Sequence, residues 1–165
     1  MNKLTAREIM SSRMITVQED LPVAELARTL VENRISGAPV LNRKQRLVGV
    51  VSATDIVANE LKVGHKVVSE LDFYARPDIG TRAEQAALGM NQEDYSDSLV
   101  RDIMTPVVIA VPPDATVAEV ADIMGVNRIH RVLVTSGDEP VGIVSALDLI
   151  ALIRPEGLTD PNEMR

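Results

Sequence analysis

One stretch of this chain occurs twice. It reads Val48-Gly49-Val50-Val51-Ser52-Ala53-Thr54-Asp55 and again Val141-Gly142-Ile143-Val144-Ser145-Ala146-Leu147-Asp148. The echo is wider than the stretch itself. Asn33-Arg34-Ile35 returns as Asn127-Arg128-Ile129, and Ile9-Met10 returns as Ile103-Met104. The offsets are 103 − 9 = 94 and 142 − 49 = 93, so the two registers differ by a single residue. A repeat of this kind means two copies of one supersecondary unit, neither of which hides its apolar face alone.

Each copy of the stretch runs from a glycine through an apolar strand into Ser-x-x-Asp. That spacing is the signature of a helix N-terminus: the serine caps free backbone N–H groups, and the acid suits the positive end of the helix dipole. A lone copy reads as a capping box and nothing more. The repetition puts a hydroxyl and a carboxylate at the strand–helix junction of both units.

The rest of the chain repeats the same order of elements. In the first unit, Thr5 to Met10 is a short helix with a Thr cap, and Met14 to Val17 a short strand. Pro22 opens a helix whose apolar stripe is Val23, Leu26, Ala27, Leu30 and Val31. A strand over 35–41, a charged turn at Asn42 to Gln45, a return strand over 47–51 and a helix over 54–61 complete it. The second unit has a helix over 99–104, a strand over 107–111 and a helical stripe of Val117, Val120, Ala121 and Met124. A strand over 130–134, a turn at Ser136 to Glu139, a return strand over 141–144 and a helix over 147–153 follow. The expected class is α/β (α+β): two β-α-β-β-α motifs packed with pseudo-two-fold symmetry, sheet against sheet, with clefts where strands end and helices begin. The boundaries are motif 1 at 4–61, an inserted and partly helical linker at 62–98, motif 2 at 99–153 and a polar tail at 154–165.

Composition narrows the function. A net charge of −7 argues against nucleic acid as a partner, which needs a basic face. With no cysteine there are no disulfides, no thiolate chemistry and no Cys-based zinc site. No apolar run approaches the ~20 residues of a membrane span, and the N-terminus shows no apolar signal region. These readings make a soluble cytoplasmic protein the expectation. The only histidines, His65 and His130, fall in no ligand-spaced cluster, so neither a metal site nor an enzyme is expected. Aromatics are so scarce that all three, Phe73, Tyr74 and Tyr95, lie between the two units. That segment reads as an insertion packed on the module or on a dimer partner, with a lid over the cleft as the alternative.

The ordered set of Arg-[Glu/Asp]-Ile-Met, Asn-Arg-Ile and Gly-[Val/Ile]-Val-Ser-Ala-x-Asp, twice in register, resembles a tandem pair of cystathionine-β-synthase (CBS) motifs, a Bateman module. The resemblance covers 4–61 and 98–153. It implies a regulatory module that binds an adenosine-containing ligand and needs no cofactor for catalysis. The ligand would be AMP, ADP or ATP, sensed on behalf of a regulated enzyme or transporter. A dimerisation module with an empty cleft, or one holding adenosine or S-adenosylmethionine, is the alternative. Carried over by position, Asp55 and Asp148 would hold ribose, with Ser52 and Ser145 beside them. The glycines would let the backbone approach the base. The stretch Arg128-Ile129-His130-Arg131 is similar to the phosphate-contacting stretch in the γ regulatory subunit of AMP-activated kinase. The first repeat has Ser36-Gly37 where the second has His130-Arg131, so two equal phosphate sites are not expected. Whether His130 and Arg131 act with Asp148 or with Asp55 is left open. The family also implies a homodimer through the helices that begin near Val23, Thr54, Val117 and Leu147.

Overall fold

The computed structural model describes residues 4–60, 72–75 and 97–153. The first repeat is built of α1 (Ala6–Ile9), β1 (Val17–Gln18), α2 (Val23–Asn33), β2 (Gly37–Leu41), β3 (Leu47–Ser52) and α3 (Ala53–Glu60). A four-residue α4 (Asp72–Ala75) stands between the repeats. The second repeat is α5 (Val100–Ile103), β4 (Ala110–Val111), α6 (Val117–Asn127), β5 (Arg131–Ser136), β6 (Glu139–Ser145) and α7 (Ala146–Ala151). Each repeat forms a three-stranded sheet of the same order, β1-β2-β3 and β4-β5-β6, with the first pair parallel and the second antiparallel.

The repeated Asn-Arg-Ile is a helix stop. Asn33 and Asn127 each donate a side-chain N–H to a carbonyl one turn back, Thr29 O and Ile123 O, both at 2.8 Å. The arginines that follow take the left-handed conformation, with φ 54° at Arg34 and 55° at Arg128. The isoleucines then turn inward, Ile35 N donating to Leu30 O and Ile129 N to Met124 O. That six-to-one bond is the Schellman closure, made here without the usual glycine.

The opening of each repeat does not stay with its own sheet. Ser11 and Ile143 exchange backbone hydrogen bonds at 2.9 and 3.0 Å, and Val50 and Thr105 exchange a matching pair at 2.9 Å. Ala6 N donates to Ala115 O, and Val100 N donates to Leu21 O. The two cores are interleaved accordingly. Ala6 is buried in the core built on Val120, Val132, Leu133 and Val144, while Val100 and Ile103 are buried in that built on Val23, Leu26, Leu30 and Ile56.

This crossing explains where the elements depart from expectation. The opening strands reach only Val17–Gln18 and Ala110–Val111, rather than starting at Met14 and Val107. The residues before them are in transit from the other repeat's sheet. The second hairpin turn is also tighter than Ser136 to Glu139, because β5 and β6 pair up to Ser136 and Glu139 themselves. The repeated glycines also have a packing role. A Cβ on Gly142 would lie 2.5 Å from Met10 Sδ, and one on Gly49 2.6 Å from Thr105 O and 3.2 Å from Met104 Sδ. Each repeated glycine is the seat of the other repeat's crossing methionine, which ties the Ile-Met and Gly-x-Val signatures to one contact.

Of the linker, α4 touches both β3 and β5, and Phe73 and Tyr74 are buried. The helices expected on either side of it, and the polar tail, lie outside the described residues.

Candidate functional site

The Ser-x-x-Asp junctions fold as capping boxes in both repeats. Asp55 Oδ2 accepts from Ser52 N at 2.7 Å and from Ser52 Oγ at 2.8 Å. Asp148 Oδ2 accepts from Ser145 N and Ser145 Oγ, both at 2.7 Å. Both bonds fall on one oxygen, so the second oxygen of Asp148 is not engaged by the box.

The two boxes differ in their surroundings. Ser52 and Asp55 are 4% and 6% exposed, because α3 packs Ala53 and Ile56 into the first core. Ser145 and Asp148 are half-buried, and α7 has no fully buried residue.

Asp148 and Ser145 open onto a cavity of about 610 Å³, within the range of small-ligand sites. It draws on both repeats. His130 and Arg131 line it from the start of β5, Arg34 to Gly37 from the start of β2, and Arg13 to Ile15 from the crossing segment. Phe73 of α4 lines it as well. The apolar side is Met14, Ile15, Ile35, Ile143 and Ile150.

His130, Arg131 and Asp148 therefore line one and the same cavity. Ser52 and Asp55 are not among its lining residues, and neither is Arg128. Arg128 is exposed and occupies the helix-stop position equivalent to Arg34. Arg34 and Arg13 supply the further positive charge in its place. Sequence reasoning passed over both, since Arg34 reads as a helix end and Arg13 lies in no repeated motif. The crossing of the opening segment brings Arg13 in, and only a legible crossing would have revealed it.

His130 is anchored through its backbone. Its N donates to Tyr74 O at 2.7 Å and its carbonyl accepts from Ala146 N at 2.8 Å. Tyr74 is fully buried, and its hydroxyl oxygen accepts from Ile109 N at 2.7 Å. Burial pushes the Tyr74 phenol up to about 12, against a smaller opposing effect of the Ile109 hydrogen bond. Arg131 lies with its guanidinium carbon 5.5 Å from the centroid of the Phe73 ring. Among the described residues no group of three His, Cys, Asp or Glu side chains is placed to hold a metal, and no helix is long and apolar enough to cross a membrane.

Two α/β repeats with crossed openings and a ligand-sized cleft at a strand–helix junction define a paired module. The chain matches the CBS domain over residues 6–62 and 100–155 and belongs to that family, as a tandem pair. It is 37% identical over 142 residues to an uncharacterised protein of Methanocaldococcus jannaschii, covering 82% of this chain and 83% of that one. Its fold resembles CBSX2 crystallised with AMP, at TM-score 0.63 and 21% identity, covering 90% of this chain and 95% of that one. It also resembles the CBS domain pair of protein MJ0100 crystallised with 5′-methylthioadenosine and S-adenosyl-L-methionine, at TM-score 0.60 and 23% identity, covering 92% and 96%.

Proposed function

We propose that this CBS pair is a regulatory module that binds an adenine nucleotide, AMP, ADP or ATP, in the Asp148 cavity and signals its occupancy to a partner protein. One observation carries the reading. A single cavity joins a junction carboxylate, Asp148, to the side chains Arg13, Arg34, His130 and Arg131 in a chain of net charge −7. A carboxylate accepts hydrogen bonds from ribose hydroxyls, and arginines bind phosphate through charge-assisted, often bidentate contacts. The apolar side suits a flat base. The same reading makes the module a homodimer and gives Asp55 a capping rather than a ribose-binding role.

The test is calorimetric titration with AMP and adenosine. AMP is expected to bind more tightly, and more weakly as salt rises, since partly exposed phosphate contacts are screened. Asp148→Ala should lower affinity for both ligands by about 10- to 150-fold, the equivalent of losing a charged hydrogen-bond partner worth roughly 1.5–3 kcal/mol. Arg131→Ala should weaken AMP alone. Asp55→Ala should leave affinity at this cavity unchanged. Equal affinity of the parent for AMP and adenosine would remove the phosphate reading. It would favour the nucleoside-type ligands seen with the MJ0100 pair.

A further inference from the structure

Phe73 belongs to neither repeat, yet it stands in the cavity that both repeats build. Its ring is 4% exposed. On one side it presses on the start of β2, where a Cβ on Gly37 would lie 2.8 Å from its Cδ2. Arg131 lies 5.5 Å from the ring centroid, inside the ~6 Å reach of a cation–π contact. Tyr74 holds the ring edge-on, with centroids 4.9 Å apart and planes at 89°. Tyr74 is itself fixed at both ends, by Ile109 N on its hydroxyl and by His130 N on its carbonyl. The ring is thus a rigid wall that faces the guanidinium.

A guanidinium held against a ring face is engaged through its charge. The contact also limits the rotamers of a long side chain whose ordering would otherwise oppose binding. We propose that Phe73 is the positioning residue for Arg131: it holds the guanidinium in place for an anionic ligand group before the ligand arrives. This rests on the reading of Arg131 as a phosphate contact. It assigns the segment between the repeats a part in ligand preference, through a side chain with no equivalent in either repeat.

The test compares AMP with adenosine on the full chain. Phe73→Leu keeps an apolar side chain without a π face. It should weaken AMP by about 2- to 5-fold more than it weakens adenosine, the equivalent of a cation–π contact at the weak end of its range. Phe73→Tyr restores a π face and should restore the AMP preference. In an Arg131→Ala background, Phe73→Leu should affect AMP and adenosine alike. Circular dichroism checks folding, and Phe73→Met serves as a second variant without a π face should Phe73→Leu unfold. An equal loss for AMP and adenosine would show that the ring packs or meets the base, and would overturn the positioning role. So would a selective Phe73→Leu effect on AMP over adenosine that persists without Arg131. A parent that prefers AMP with a Phe73→Leu variant that behaves identically would overturn the role of Phe73 alone. A parent that binds AMP and adenosine equally would overturn the phosphate reading, and this role with it.

Discussion

Tyr74 is the residue whose chemistry the fold alters most visibly. Its phenol is raised from an ordinary value near 10 to about 12 because the interior disfavours the anion. The sign follows from linkage. Below pH 10 the phenol is neutral in both folded and unfolded chains and its full contribution is present. From pH 10 to 12 the unfolded chain releases the proton first, so stability falls as pH rises. At roughly 1.4 kcal/mol per unit, a two-unit gap amounts to about 3 kcal/mol lost across that window. Urea denaturation from pH 9 to 12 should show this loss, and Tyr74→Phe should flatten it relative to the parent. An unchanged slope in the variant would mean other groups cause it. At the same scale, Asp55 and Asp148 show what letters alone convey. Both were legible as capping acids at strand–helix junctions. Their opposite surroundings were not, because exposure depends on what packs over α3 and α7, and Ser-x-x-Asp is the same in both.

Among the elements, the crossing segments set the sharpest constraint. Gly49 faces a backbone carbonyl, Thr105 O, which is tied into the reciprocal pair with Val50. Gly142 faces mainly the thioether of Met10, a flexible side chain that can swing aside. Gly49→Ala should therefore destabilise by roughly 1–3 kcal/mol, the range of overpacking, and Gly142→Ala by less. Chemical denaturation of the two variants decides it, and an equal or reversed order would mean that the segments yield differently. The helices and hairpins were readable because their apolar spacing and the Asn-Arg-Ile stops are local signals. The opening strands were misjudged by three residues at Met14 and Val107. Those residues are β-prone, yet the chain there is coming from the other repeat, and no local pattern encodes that path.

At the scale of the whole molecule, an uncovered apolar face stands out among the described residues. On and just beyond α7, Leu147, Ile150 and Ile153 are 74%, 52% and 80% exposed, and the first two also line the cavity that this face adjoins. A second copy of this chain is the expected occupant. Light scattering at micromolar concentration should report a dimer, and Leu147→Glu with Ile153→Glu should shift it toward monomer. A parent that scatters only as monomer would remove the homodimer. The two-fold plan was legible from the repeat itself, whereas the exchange of openings was not. That exchange also orders events in time. The first repeat leaves the ribosome with its core lacking Val100 and Ile103, and must wait for them. The second repeat, when it emerges, finds Ala6 and Met10 already made. The contacts that close the structure join residues as far apart as Ser11 and Ile143, and such distant closures are slow to form. Synthesis of the first half is thus a pause rather than a completed folding step, and damage near the amino terminus would be felt in the carboxyl-terminal half.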